Sequence, residues 1–74
     1  MMSLIFGREG EEFEVKAIEG GRSVILRLQE MGIYPGVKLR IISSSNGPII
    51  IALGNTRIAL GRGIASKIVV KEMN

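Results

Sequence analysis

The 74-residue sequence has no cysteine, histidine, aspartate or tryptophan, and its only aromatic residues are Phe6, Phe13 and Tyr34. Without cysteine no disulfide can support the fold, so packing alone must hold it, which is compatible with a reducing cytoplasm. Without histidine, cysteine and aspartate the usual soft and borderline metal ligands are missing. The seven glutamates offer no preorganised cage, so no metal site is expected. The serines have no histidine to act as base, and nothing supports acid–base work by Glu30 or Glu72, so no catalytic residue is assigned. Gly61-Arg62-Gly63 lacks the further glycine of a dinucleotide loop and the Gly-Lys-Ser/Thr ending of a P-loop, so no cofactor is expected. Together these absences argue against an enzyme. Long apolar runs are missing too, since nothing approaches the roughly 20 residues of a spanning helix. The opening MMSLIFGREG has neither a basic n-region nor the roughly 7–15-residue apolar core of a secretory signal. The expectation is a soluble, cytoplasmic protein.

What is present is apolar and small. With 46% hydrophobic residues, dominated by Ile, Val and Leu, the chain is rich enough to fold as one domain over residues 1–74, although a core of this size leaves a thin stability margin. Charge is unevenly placed. Residues 1–20 hold two basic and five acidic side chains, whereas residues 21–74 hold eight basic and two acidic ones. The later, basic part suits a solvated surface, nucleic acid, anionic lipid or an acidic protein face.

Residues 1–12 show no clear period and read as an arm that docks loosely. From Phe13 the pattern alternates, with Phe13, Val15 and Ala17 on one face and Glu14, Lys16 and Ile18 on the other, as in a half-buried strand closed by Gly20-Gly21. Val24, Leu28 and Met31 then stand at i, i+4 and i+7, with Ile25 on the flank, which predicts a short amphipathic helix over residues 22–31. Gly32 is placed for a left-handed C-terminal cap, and Pro35-Gly36 fits the centre of a type II turn. Leu26 falls off the apolar stripe, between Gln29 and Glu30. Either the arm, through Phe6, covers it or a partner does.

Val37, Leu39 and Ile41 alternate with Lys38 and Arg40 in a second strand, and residues 43–48 (SSSNGP) form a loop. Ile49 to Leu53 reads as a strand buried on both faces or covered on one by another element, and Gly54-Asn55 as a tight hairpin with glycine first. Thr56 to Leu60 follows, with Ile58 and Leu60 inward. After one helical turn at Ile64-Ala65-Ser66, Lys67 to Lys71 supplies a last strand. Five short strands and one helix predict a mainly β fold whose strands close into a barrel. Lys38, Arg40, Arg57, Arg62 and Lys67 could share one face. That face carries no aromatic stacking platform after residue 36, so nucleic acid is not the expected partner.

The ordered set Gly20-Gly21, Arg27-Leu28, Glu30-Met31-Gly32-Ile33, Pro35-Gly36, Gly47-Pro48, Gly54, Ile58-Ala59-Leu60 and Ala65 resembles the FeoA family of bacterial ferrous iron uptake systems. The resemblance implies an SH3-like barrel of about five strands with one inserted helix. It also implies a non-enzymatic accessory role beside FeoB, a membrane transporter with a cytosolic GTPase region. Transition-metal binding attaches to the chain only as a family label. The helix and the turn after it are the expected contact, with Leu26, Ile33, Tyr34 and Pro35 as apolar candidates and Arg27, Arg40, Arg57 and Arg62 as charged ones. A generic SH3-like protein-binding module, a nucleic-acid-binding module and weak self-association remain alternatives.

Overall fold

The structure, a computed structural model, describes residues 1–73. Six strands form one antiparallel sheet: β1 (Met2–Ser3), β2 (Glu12–Ile18), β3 (Lys38–Ser43), β4 (Ile49–Leu53), β5 (Thr56–Leu60) and β6 (Ile68–Glu72). Their order across the sheet is β1-β6-β2-β3-β4-β5. Helix α1 (Arg22–Glu30) is inserted between β2 and β3, and the single turn α2 (Arg62–Ala65) links β5 to β6.

Alternation explains which residues line the interior. Phe13 and Val15 of β2, Leu39 and Ile41 of β3, Ile49 and Ile51 of β4, Leu60 of β5, and Ile68 and Val70 of β6 all belong to one buried cluster. A flat six-stranded sheet could not bring all its strands to a single cluster, so the sheet curls around its own inner face. The molecule is accordingly nearly isotropic, 29 × 26 × 24 Å. Leu28 of α1, Ile33 and Ala65 complete the core at its ends.

The structure departs from the sequence reading in four places. The first residues are not a loose arm. Met2 and Ser3 pair with Val70 and Val69, Leu4 is fully buried, and the Ser3 hydroxyl donates to the Ser66 carbonyl at 3.0 Å, so a sixth strand ties the two ends of the chain together. Ala17 faces solvent rather than the core. Val15 pairs with Val70 and Ala17 with Val69, so Lys16 is an extra residue in the ladder and the faces swap beyond it, turning Ile18 partly inward. The outer face of β4 is not covered by another element: Ile50 and Ala52 remain half-buried. Closure is also incomplete, since among the described residues no ladder joins β1 to β5.

Candidate functional site

The helix and its following turn are held rigidly by local hydrogen bonds. Helix α1 ends with Met31 as C-cap, and Gly32 follows at φ +88°. The Gly32 amide donates to the Gln29 carbonyl at 3.0 Å and the Ile33 amide to the Leu28 carbonyl at 2.8 Å, the paired bonds of a Schellman cap. Leu28 and Ile33, the two side chains that such a cap brings together, are both fully buried. The next four residues form the predicted type II turn. The Val37 amide donates to the Tyr34 carbonyl at 3.1 Å, and Gly36 sits at φ +97° in the position that demands it. The Gly36 amide donates to the Val15 carbonyl and the Val15 amide to the Val37 carbonyl, both at 2.8 Å, which fixes the turn to β2.

This frame decides which candidate contact residues are accessible. Leu26 is 46% exposed and Tyr34 49% exposed; Arg27, Pro35 and the flanking Ile25 are exposed too. Phe6 does not shield Leu26 from solvent, being itself 72% exposed. Ile33 must be struck from the contact set: as the apolar half of the Schellman cap it lies wholly inside the core and is unavailable to a partner. Ile25 and Leu26 on the helix and Tyr34 and Pro35 in the turn are thus exposed apolar side chains on a unit with little freedom to rearrange.

The charged candidates lie elsewhere. Glu12 pairs with Arg40, Arg40 with Ala52 and Ala52 with Arg57, so these four residues form one row across the outer face of β2 to β5. Two strand spacings put the Arg40 and Arg57 backbones about 10 Å apart, with only the small Ala52 between them. Beside this row lies an open depression of about 280 Å³ lined by Glu12, Lys38, Leu39, Arg40, Ala52 and Gly54. Lys38 belongs to this surface, although sequence reading placed it only among the nucleic-acid candidates. Its outward place in the strand was legible; the strand register that sets it beside Ala52 and Gly54 was not. Arg62 is half-buried and donates to the Ser45 carbonyl at 3.0 Å, so it clips α2 to the serine-rich loop. Among the described residues its guanidinium is the only one of the four candidates already committed to such a bond.

Among the described residues the one ion pair is Lys16–Glu14 at 3.2 Å, and no three His, Cys, Asp or Glu side chains cluster as metal ligands would. One carboxyl is perturbed. Glu72 is raised above the ordinary glutamate range, first by a side-chain hydrogen bond with Glu11, then by the charge of Glu11 and slight desolvation, with Arg8 opposing. Glu11 is itself held, accepting from the Arg8 amide at 2.6 Å.

A curled antiparallel sheet with a helix inserted after its first long strand, and with a last hairpin strand that keeps one free edge, is an SH3-like barrel. The FeoA domain profile matches residues 2–72, and the chain belongs to the FeoA family, whose members are associated with Fe(2+) transport. It is 47% identical over 72 residues to the "Putative Fe(2+) transport protein A" of Methanocaldococcus jannaschii, covering 97% of this chain and 88% of that protein. Among solved structures, an iron uptake regulatory protein (FeoA) superposes with a TM-score of 0.90 at 33% identity, over 97% of this chain and 96% of the other. The FeoA of Stenotrophomonas maltophilia, crystallised with zinc and described as a prokaryotic SH3 domain protein, shares the fold with a TM-score of 0.83 at 23% identity. That match covers 96% of this chain and 91% of the other. No helix of the described residues is long and apolar enough to cross a membrane.

Proposed function

We propose that this protein is a cytoplasmic, non-enzymatic accessory protein of ferrous iron uptake that binds the cytosolic GTPase region of the transporter FeoB and modulates it. Family membership supplies the system. The observation that carries the docking role is the exposed apolar surface of Ile25, Leu26, Tyr34 and Pro35 on a capped helix and a hydrogen-bonded turn. Exposed apolar side chains on a pre-organised frame favour association because little conformational entropy is lost on binding. Four exposed apolar side chains fit a small, reversible interface, which suits a protein that modulates rather than builds its partner.

The test is retention of the transporter's cytosolic region on immobilised protein. Leu26→Glu, at an exposed position, should leave the thermal midpoint within about 4 °C of the parent, because surface substitutions usually stay within about 0.5 kcal/mol. It should nevertheless abolish retention. Retention unchanged by Leu26→Glu would move the contact off the helix, and no retention by the parent would refute the accessory role.

A further inference from the structure

We propose that the free edge of β5 receives an extended acidic segment of the transporter's cytosolic region as an added antiparallel strand. The inference rests on the docking role above and names a second contact, separate from the helix.

Strand β5 ends the sheet and pairs with β4 alone. Leu53 pairs with Thr56 across the two-residue Gly54-Asn55 loop, and Gly54 takes φ +56° as the first loop residue must. In such a hairpin hydrogen-bonded pairs alternate with non-hydrogen-bonded ones. Leu53/Thr56, Ile51/Ile58 and Ile49/Leu60 are the bonded pairs, so Arg57 and Ala59 direct their amides and carbonyls away from β4. No other backbone hydrogen bond among the described residues uses them. The register between β4 and β5 is unbroken and residues 56–60 contain no proline, so the edge lacks the bulge or proline that commonly blocks added strands. The opposite end of the sheet, β1, is only two residues long.

Charge identifies the occupant. From Met31 to Lys71 the chain holds no acidic residue and six cations, Lys38, Arg40, Arg57, Arg62, Lys67 and Lys71. Lys38, Arg40 and Arg57 lie on or beside the outer face of β3 to β5, and none of them is in an ion pair among the described residues. A strand added beyond β5 sets its outward side chains about 5 Å from Arg57, where a glutamate or aspartate makes a favourable cross-strand pair. Its inward side chains meet the half-exposed Ile58 and would be apolar. The fitting segment therefore alternates acidic and apolar residues. A second copy joined through its own β5 would instead bring the Arg57 side chains of two β5 strands, which carry no acidic residue, to one seam, which charge disfavours.

Overlapping 15-residue peptides tiling the transporter's cytosolic region, titrated into the full-length protein, test this with affinity and amide exchange as readouts. The expected result is an acidic peptide that slows exchange of the Arg57 and Ala59 amides at least tenfold. Its affinity should fall at least tenfold in Arg57→Glu and in Ala59→Pro, which removes a free donor without touching the β4 ladder, and stay unchanged in Leu26→Glu. If Ala59→Pro does not fold, Arg57→Glu and the exchange pattern decide. Peptide binding without slowed exchange at Arg57 and Ala59 would overturn the added strand, leaving only surface charge. Exchange at those amides that slows with protein concentration alone would assign the edge to a second copy and overturn it too. If the whole cytosolic region is retained by Arg57→Glu but lost by Leu26→Glu, with no peptide bound at the edge, the docking role stands and this inference falls. Failure of the parent to retain that region removes both.

Discussion

Single residues in this small core have little room to change. Gly7 is buried, and a Cβ there would run into Ile41 Cδ1 and approach Phe13 Cε2 to 2.9 Å. Its φ of −71° is open to any residue, so the requirement is steric and not conformational. Both neighbours are fully buried, so either can give way only by disturbing the packing around it. Gly7→Ala should therefore cost about 1–3 kcal/mol by urea unfolding, outweighing the roughly 0.4–1 kcal/mol that the loss of unfolded-state freedom would otherwise contribute. Glu72 makes the opposite case at the surface. Its pKa is raised in the fold, so it adds stability only where it is protonated: fully below the ordinary glutamate range, and lost as pH rises through its folded value. Glu72→Gln keeps a donor toward Glu11 without the second charge. Its melting temperature should exceed the parent's at pH 7, with the gap closing below about pH 4 and narrowing in high salt.

At the scale of elements, α1 is well finished at one end and poorly at the other. Its C-terminus has a complete Schellman cap, whereas its N-cap is Gly21, which offers no side-chain hydrogen bond, and Arg22 follows with the wrong sign for the helix dipole. Gly21 has extended backbone at φ −71° and open space around a prospective Cβ. Gly21→Ser should stabilise the protein by about 0.5–1 kcal/mol through the new cap and reduced unfolded-state freedom, measurable as a shift of the denaturation midpoint at constant slope. The helix, its cap and the Pro35-Gly36 turn were legible in advance because their demands are local: a 3.6-residue period, and glycine where φ is positive. The strand faces were legible up to Val15 and wrong at Ala17, since a bulge is decided by which residues of another strand lie opposite. Ile33 was misjudged for a related reason. Its local pattern marks a turn residue, and only packing shows that the cap folds its side chain into the core.

The whole molecule is stapled at its ends. Strand β1 lies against β6, with Leu4 fully buried behind it, so the first residues of the chain complete a core that the last strand also lines. Leu4→Ala should cost about 2–5 kcal/mol, a large share of the roughly 4–11 kcal/mol available to a chain of this size. It should lower the denaturation midpoint in one cooperative transition seen equally by near- and far-ultraviolet circular dichroism, not as a separate fraying of the arm. By itself the sequence determined the mainly β class, the inserted helix, the turn chemistry, the poverty of catalytic side chains and the acid-free stretch from residue 31 to 71, because composition, period and backbone preference act between near neighbours. Only the tertiary structure decided that the arm is a strand, that Lys16 makes a bulge, that Arg40 and Arg57 flank Ala52, and that β5 keeps a free edge. Those outcomes depend on pairing between distant segments, whose register is set by the mutual fit of the buried faces and not by any one segment alone.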